Sequence, residues 1–353
     1  MIYGTGCAAR HGAHMIWLIG QRNERTLKKE EMKMTFTPLR VSAAAAVATA
    51  ALLTAAAPAA AEWKPSGPIN LMIAFRAGGG ADTQARLMAT SLEKTKGWKI
   101  IPQNVTGKGG AVMARKLKTQ PNDGLTIGIA VTETFGYNIL ATKKPGYAVG
   151  DFTYITTTAG SQMGIVAKTS RGWKSIHDLV KAAKGGAKVK FGAMSPRLAD
   201  LAYVVQQKFG VELNTVMFKG GRGVLNAITA GDVDAGWVAG IQGKGVRAGD
   251  LVNLMSGESA RLKVSPDAPT MMELGIPYDA GAKFLIVAPK GIPADARKGL
   301  ADAFAAILKD KSTKAAQFVT RAFGGPLLIS GAALDKLVAD GIASSKQLME
   351  ATQ

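Results

Sequence analysis

Ile69-Asn70-Leu71-Met72-Ile73-Ala74-Phe75-Arg76-Ala77-Gly78-Gly79-Gly80-Ala81-Asp82-Thr83 is the stretch from which the rest of the chain can be ordered. Ile69, Leu71, Ile73 and Phe75 alternate with other residues and predict a strand. Five small residues, 77–81, make a tight loop, and Asp82 and Thr83 open a helix. Ala85, Met88, Ala89 and Leu92 recur at i, i+3, i+4 and i+7, one helical face. Glycine lets backbone approach a ligand closely and adopt φ > 0. The N–H groups at a helix start, with the macrodipole behind them, favour negative charge. A strand, three glycines and a helix start therefore read as an anion cradle. The anion expected is a carboxylate that is held and released unchanged.

Working outward, residues 98–101 predict a short second strand running into Asn104-Val105-Thr106-Gly107-Lys108-Gly109-Gly110. A helix over 111–118, a Pro121-Asn122-Asp123-Gly124 turn and a strand over 125–131 follow, ending in the polar Thr132-Glu133-Thr134. This βαβαβ run predicts an α/β fold with a parallel sheet, and ligands of such sheets sit beyond the C-terminal strand ends. A second unit begins with strands at 154–158 and 163–167. Ser175 N-caps a helix with Asp178 at the capping-box position. After a strand over 189–193, Ser195 and Pro196 make a helix start, N-cap then N1. Lys219-Gly220-Gly221, helix, turn and strand then repeat the pattern of Lys108-Gly109-Gly110 in the first half. Strands at 251–255 and 284–288 follow, then helices over 294–309, 313–322 and 332–349. A strand that leaves one lobe and helices that return to the other predict two crossings and a hinged cleft.

The 353 residues carry a net charge of +19 and are 47% hydrophobic, enough for a sizeable core in about two domains. Residues 62–353 hold 37 basic and 22 acidic residues, +15, which suits an anionic ligand, membrane surface or nucleic acid. The lysines are scattered and aromatics are only 6%, which argues against a base-stacking platform, and no nucleic-acid partner is expected. Cys7 is the single cysteine, and the histidines are His11, His14 and His177. A disulfide within the chain is excluded, and removal of the N-terminus would leave one His and no Cys, which argues against a His/Cys metal centre; neither metal nor cofactor is expected. Arg40, an apolar run over 41–57, Pro58 and Ala59-Ala60-Ala61 describe a secretory signal. The expected organisation is an over-extended, unstructured 1–33, a signal peptide at 34–61 cut near Ala61, and an exported periplasmic chain.

These motifs resemble the substrate-binding proteins of tripartite tricarboxylate transporters, the Bug family. The family's glycine loop corresponds to 75–82, its Asn-x-x-Gly-x-Gly-Gly loop to 104–110, and its Pro-x-Asp-Gly turn to 121–124. Its Tyr-Lys-Gly corresponds to Phe218-Lys219-Gly220, and its Gly-x-Val-Asp to Gly231-Asp232-Val233-Asp234. Pro266-Asp267-Ala268-Pro269-Thr270 with Glu273-Leu274-Gly275, and Ala288-Pro289-Lys290-Gly291-Ile292-Pro293, complete seven motifs in order. The resemblance implies an α/β, type II-like two-lobed periplasmic binding protein. Each lobe would be a mainly parallel sheet flanked by helices, with the ligand in the interlobe cleft. The lobes would be 62–160 with 287–353, and 161–286. It implies a non-enzymatic, monomeric protein that delivers a small organic carboxylate, a di- or tricarboxylate or aromatic acid, to membrane permease subunits. Two departures stand out: Arg76 where the family usually has Pro, and Val238 where many members carry an Asp that would pair with a ligand amine.

The residues expected to hold the ligand in the first lobe are Phe75, Gly78, Gly79, Gly80, Ala81, Asp82, Thr83, Gly109, Gly110 and Thr132. Those from the second are Ser195, Arg197, Lys219 and Gly220. Asp82 carries two readings, ligand contact or a brace that caps N–H groups and shapes the loop. Arg76 and Lys283 are secondary candidates for a second carboxylate, and Arg222 carries two readings, ligand contact or solvated surface. Three rival readings exist. A sensor component would present the ligand instead of delivering it. A polyanion binder would rest on charge alone. A nucleotide-dependent enzyme needs G-x-G-x-x-G, which the loop at Gly78 lacks because Thr83 is its sixth residue; Gly243-Lys244-Gly245-Val246-Arg247-Ala248 fits only the looser form.

Overall fold

A computed structural model describes residues 63–352; the expected signal peptide and the segment before it lie outside the described residues. In chain order the first half contains β1 (Ile69–Ile73), α1 (Gly80–Lys96), β2 (Ile100–Asn104), α2 (Ala111–Leu117), β3 (Thr126–Val131), α3 (Tyr137–Leu140) and β4 (Phe152–Gly160). There follow β5 (Met163–Lys168), α4 (Ile176–Lys184), β6 (Lys190–Ala193), α5 (Pro196–Phe209), β7 (Asn214–Met217), α6 (Gly221–Ala230), β8 (Ala235–Ala239), α7 (Gly243–Ala248) and β9 (Leu251–Ser256). The chain closes with β10 (Lys283–Pro289), α8 (Ala294–Lys309), α9 (Lys314–Phe323) and α10 (Gly331–Thr352).

Two five-stranded sheets result, ordered β2-β1-β3-β10-β4 and β7-β6-β8-β5-β9. Each is mixed. Parallel pairing is confined to β2-β1-β3 and β7-β6-β8, while β10 and β5 run against their neighbours. The cause is the route of the chain. The C-terminal strand ends of both sheets face the space between the lobes, and β5 and β10 are the strands by which the chain enters each lobe from that space. A strand starting at that edge must run opposite to the others. The two sheet orders also match position for position, so the Lys108 and Lys219 loops, each followed by helix and strand, occupy equivalent places.

Helices cover both faces of each sheet. Ala85, Met88 and Leu92 of α1 are fully buried with Ile69, Leu71, Ile73 and Phe304. Met113 and Leu117 of α2 and Leu334 of α10 close the opposite face. In the second lobe Leu179, Leu198, Leu201 and Trp237 fill one side and Val224 and Ile228 of α6 the other. Each such side chain contributes roughly 1.5–3 kcal/mol on burial. The last helix spans both lobes, since Leu334 packs in the first core and Leu348 in the second.

Local departures from the sequence reading have simple causes. β2 starts two residues later than expected because Gly97 ends α1 in the left-handed conformation and Trp98 turns inward, edge-on to Trp63. Helix α1 starts at Gly80, which places Asp82 inside its first turn. Residues 243–248 form α7, so the looser glycine fingerprint there is a helix and no strand-to-helix loop. Val238 is fully buried in the second lobe's core, and the next residue, Ala239, faces the crevice. The identity of residue 238 therefore carries no information on a ligand amine.

Candidate functional site

The crevice between the lobes encloses about 780 Å³, open solvent at its mouth included. Its walls are the C-terminal strand ends and the loops they feed. Of the residues singled out from sequence, Phe75, Gly79, Gly80, Ala81, Gly109, Ser195, Lys219 and Gly220 line it, as do Arg76 and Arg222. Gly78, Asp82, Thr83, Gly110, Thr132 and Arg197 are not among its lining residues.

The glycine loop leaves β1, and Gly79, extended, is the N-cap of α1, with no described side chain capping that end. The first-turn amides of a helix then face a ligand or water. The loop is braced from behind. Asp82, 4% exposed, accepts from the Gly78 N–H (2.9 Å), Asn104 Nδ2 (2.8 Å) and Arg86 Nε (2.9 Å). Burial pushes its carboxyl up, but those three donors outweigh burial and hold it below the usual carboxylate range. Of its two readings, the geometry displays the brace. The Gly107–Gly110 loop is held similarly, with Thr134 Oγ1 and Asn138 Nδ2 donating to the Gly109 carbonyl at 2.8 and 2.9 Å. Gly109 and Gly110 have φ of 61° and 96°, and a Cβ on either would lie 2.5 Å from Asn138 Nδ2 or 2.7 Å from Thr134 Oγ1. Only glycine fits both conformation and space.

The second lobe differs. Ser195 caps α5, its Oγ accepting from Leu198 N–H at 3.3 Å, and Pro196 follows at N1 with no N–H to give. Arg197 turns away: its guanidinium donates to the carbonyls of Asp279 (2.6 Å), Ala280 (3.2 Å) and Gly281 (3.4 Å). It thereby fixes the segment leading into β10. Thr132 Oγ1 accepts from the Lys283 N–H at 3.2 Å, again at the crossing. Arg197, Thr132 and Lys283 line a second space behind the hinge. Arg222 reaches across the crevice and donates to the Gly78 carbonyl through Nη2 (2.6 Å) and Nε (3.1 Å).

Two acids that the sequence reading did not select are central. Glu258 Oε1 accepts from Ser161 Oγ (2.7 Å) and the Met163 N–H (2.6 Å), while Ser161 Oγ accepts from the Ala282 N–H (2.9 Å). One carboxyl thus ties both crossings together, and burial pushes it up despite those donors. Glu133, in the short helical turn after β3, lines both the crevice and the space behind it. Burial raises its carboxyl, opposed by the Arg197 charge and a hydrogen bond with Ser195. The sequence signal for Glu133 was its place in the polar triplet after a strand; Glu258 had none. Among the described residues no group of three His, Cys, Asp or Glu is arranged to hold a metal, and no helix is long and apolar enough to cross a membrane.

Two sheets whose strand ends and glycine loops face a shared, hinged crevice define a two-lobed solute-binding protein fold. The chain belongs to the tripartite tricarboxylate transporter receptor family, whose model matches residues 84–353. Relatives include a UPF0065 protein of the gbd 5′ region of Cupriavidus necator, 30% identical over 267 residues (73% of this chain, 80% of the relative). Protein BugT of Bordetella pertussis is 27% identical over 264 residues (69% and 76%). Among solved structures, MatC of Rhodopseudomonas palustris with bound malate aligns with a TM-score of 0.70 at 22% identity, covering 81% of this chain and 99% of that one. The periplasmic binding protein BugD aligns at 0.71 and 23% identity (82% and 98%), and an R. palustris protein with adipate at 0.73 and 23% (81% and 97%).

Proposed function

We propose that this protein is a periplasmic solute-binding protein that captures a small organic carboxylate between its lobes and delivers it unchanged to the permease of a tripartite tricarboxylate-type transporter. The observation that carries the reading is the uncapped start of α1, whose amides open onto the crevice behind a braced glycine loop. Family membership supports the transport role, and malate and adipate in the two structural neighbours support the ligand class. Hydrogen bonds to a charged group contribute roughly 1.5–3 kcal/mol each. Three or four give the ~8 kcal/mol of micromolar binding once ordering costs are met. Closure hides the donors of both lobes from water and strengthens them.

A thermal-shift screen against a panel of organic acids tests the reading. One or more carboxylates should raise the melting temperature, and nuclear magnetic resonance of the same mixture should show the acid unaltered. A flat panel, or conversion of the acid, would contradict it.

A further inference from the structure

The lobes also meet where the end of α9 approaches the loop from β8 into α7. Val319 and Phe323 of α9 pack in the first lobe's core, while Val238 and Ile241 pack in the second. A Cβ on Gly240, which has φ of 81°, would collide with the Ala322 carbonyl and the Phe323 ring. Lys263 of the second lobe donates to the Gly324 carbonyl of the first. Beside this contact lies a space of about 940 Å³, open solvent included, walled by both lobes. It shares no lining residue with the capture crevice.

Two features of this space have no part in holding the captured acid. Its charged lining is Arg247, Lys263 and Arg321, with no Asp or Glu among the described lining residues. Arg247 and Arg321 are exposed, and neither guanidinium has a partner among the described residues. Gln242 lines the same space and is fully buried. Its Nε2 donates to the Gln162 carbonyl at 3.1 Å and to Asn253 Oδ1 at 3.4 Å. Both are acceptors, so they fix which way the amide points, and Oε1 is left without a partner. A buried acceptor that no donor reaches is costly, and such groups mark places where something else binds.

We propose that this space is a second anion site, which takes a small oxyanion bearing a hydroxyl, hydrogen phosphate in its simplest form. The guanidinium groups match the charge and geometry of a phosphate. The hydroxyl on phosphorus donates to Gln242 Oε1. Sulfate has a similar shape but no proton to give at neutral pH, and a phosphate diester has no hydroxyl on phosphorus. Because Arg321 comes from one lobe and Arg247 from the other, the bound anion holds both onto a single group and favours the closed arrangement. The inference goes beyond the capture reading and does not depend on it.

Calorimetric titration of the purified protein with inorganic phosphate, sulfate and dimethyl phosphate at neutral pH tests this, with small-angle X-ray scattering on the same samples. Phosphate should bind about tenfold or more tighter than either control, the factor for one hydrogen bond, and should lower the radius of gyration. Arg247→Ala and Arg321→Ala, at exposed positions, should each weaken phosphate about tenfold with the melting temperature of the free protein nearly unchanged. Gln242→Met, which keeps length and removes the acceptor, should erase the preference for phosphate over sulfate; the arginine variants read the site even if this buried one folds poorly. Equal binding of phosphate and sulfate, no binding of any of the three, or an unchanged radius of gyration would overturn the inference. Phosphate binding lost in Ala81→Pro and kept in both arginine variants would place the anion in the capture crevice, overturning the inference and leaving the capture reading standing.

Discussion

The first helix of the first lobe and its counterpart in the second begin at equivalent places in matching sheets, yet their chemistry is opposite. The loop from β1 into α1 ends in an uncapped N-terminus, and its only carboxylate, Asp82, faces away to hold Gly78. The loop from β6 into α5 leaves fewer donors open: Ser195 takes the Leu198 N–H and Pro196 has none. Its arginine is committed to hinge carbonyls. Of this pair only the first-lobe start leaves its amides open to the crevice, while the second lobe has its own uncapped start elsewhere, at Gly220 and Gly221 of α6, which also line the crevice. Matching topology brings equivalent helix starts to the crevice, and the residues at those starts decide which of them are left uncapped.

The sharpest way to break this comparison is to remove one amide from the first lobe. Ala81→Pro deletes a first-turn N–H where a helix tolerates proline. Affinity for the captured acid should fall by about 1.5–3 kcal/mol, ten- to a hundredfold, with the melting temperature nearly unchanged. Titration calorimetry with a melting control checks it. Asp82→Ala should come next. It frees the Gly78 N–H and Asn104 and costs about 1–3 kcal/mol of stability in denaturant unfolding, with weaker binding as the loop loosens. In the second lobe, Ser195→Ala should cost about 1 kcal/mol of stability for the lost cap while changing affinity far less than Ala81→Pro. Arg222→Ala, an exposed bridge to Gly78, should shift stability by under about 1 kcal/mol and mainly speed ligand release in stopped flow.

Acid titration separates the two kinds of carboxylate. Asp82 lies below its ordinary value, so the stability it contributes is present above that value and is lost as pH falls through its folded-state pKa. Glu258 lies above its ordinary 4.5, so the folded state binds its proton more tightly, and stability falls as pH rises from 4.5 through the raised value. Glu258→Gln should flatten that fall in a series of melting curves, and Asp82→Asn should flatten the acid limb.

Much of this fold was legible because its units are local. The alternation at Ile69–Ile73, the helical face of Met88 and Leu92, and the Ser195-Pro196 start are each written within a dozen residues. The reversed strands were not, since the insertion of β10 between β3 and β4 joins segments more than a hundred residues apart. The site divided along the same line. Glycine loops carry their signal in spacing. Whether Arg197 meets a ligand depends on the carbonyls of Asp279 to Gly281, some eighty residues on, and the pairing of Glu258 with Ser161 and Met163 spans a similar gap. Glu133 carries the sign opposite to the one an anion site calls for, so its charge gave no signal of its place on the crevice wall.

The most direct test of the central claim is the position of the carboxylate in a crystal structure of the protein with its acid bound. The oxygens should accept from the Gly80 and Ala81 N–H groups at the start of α1. A carboxylate seated on Lys283 behind the hinge, with those amides facing water, would contradict the account.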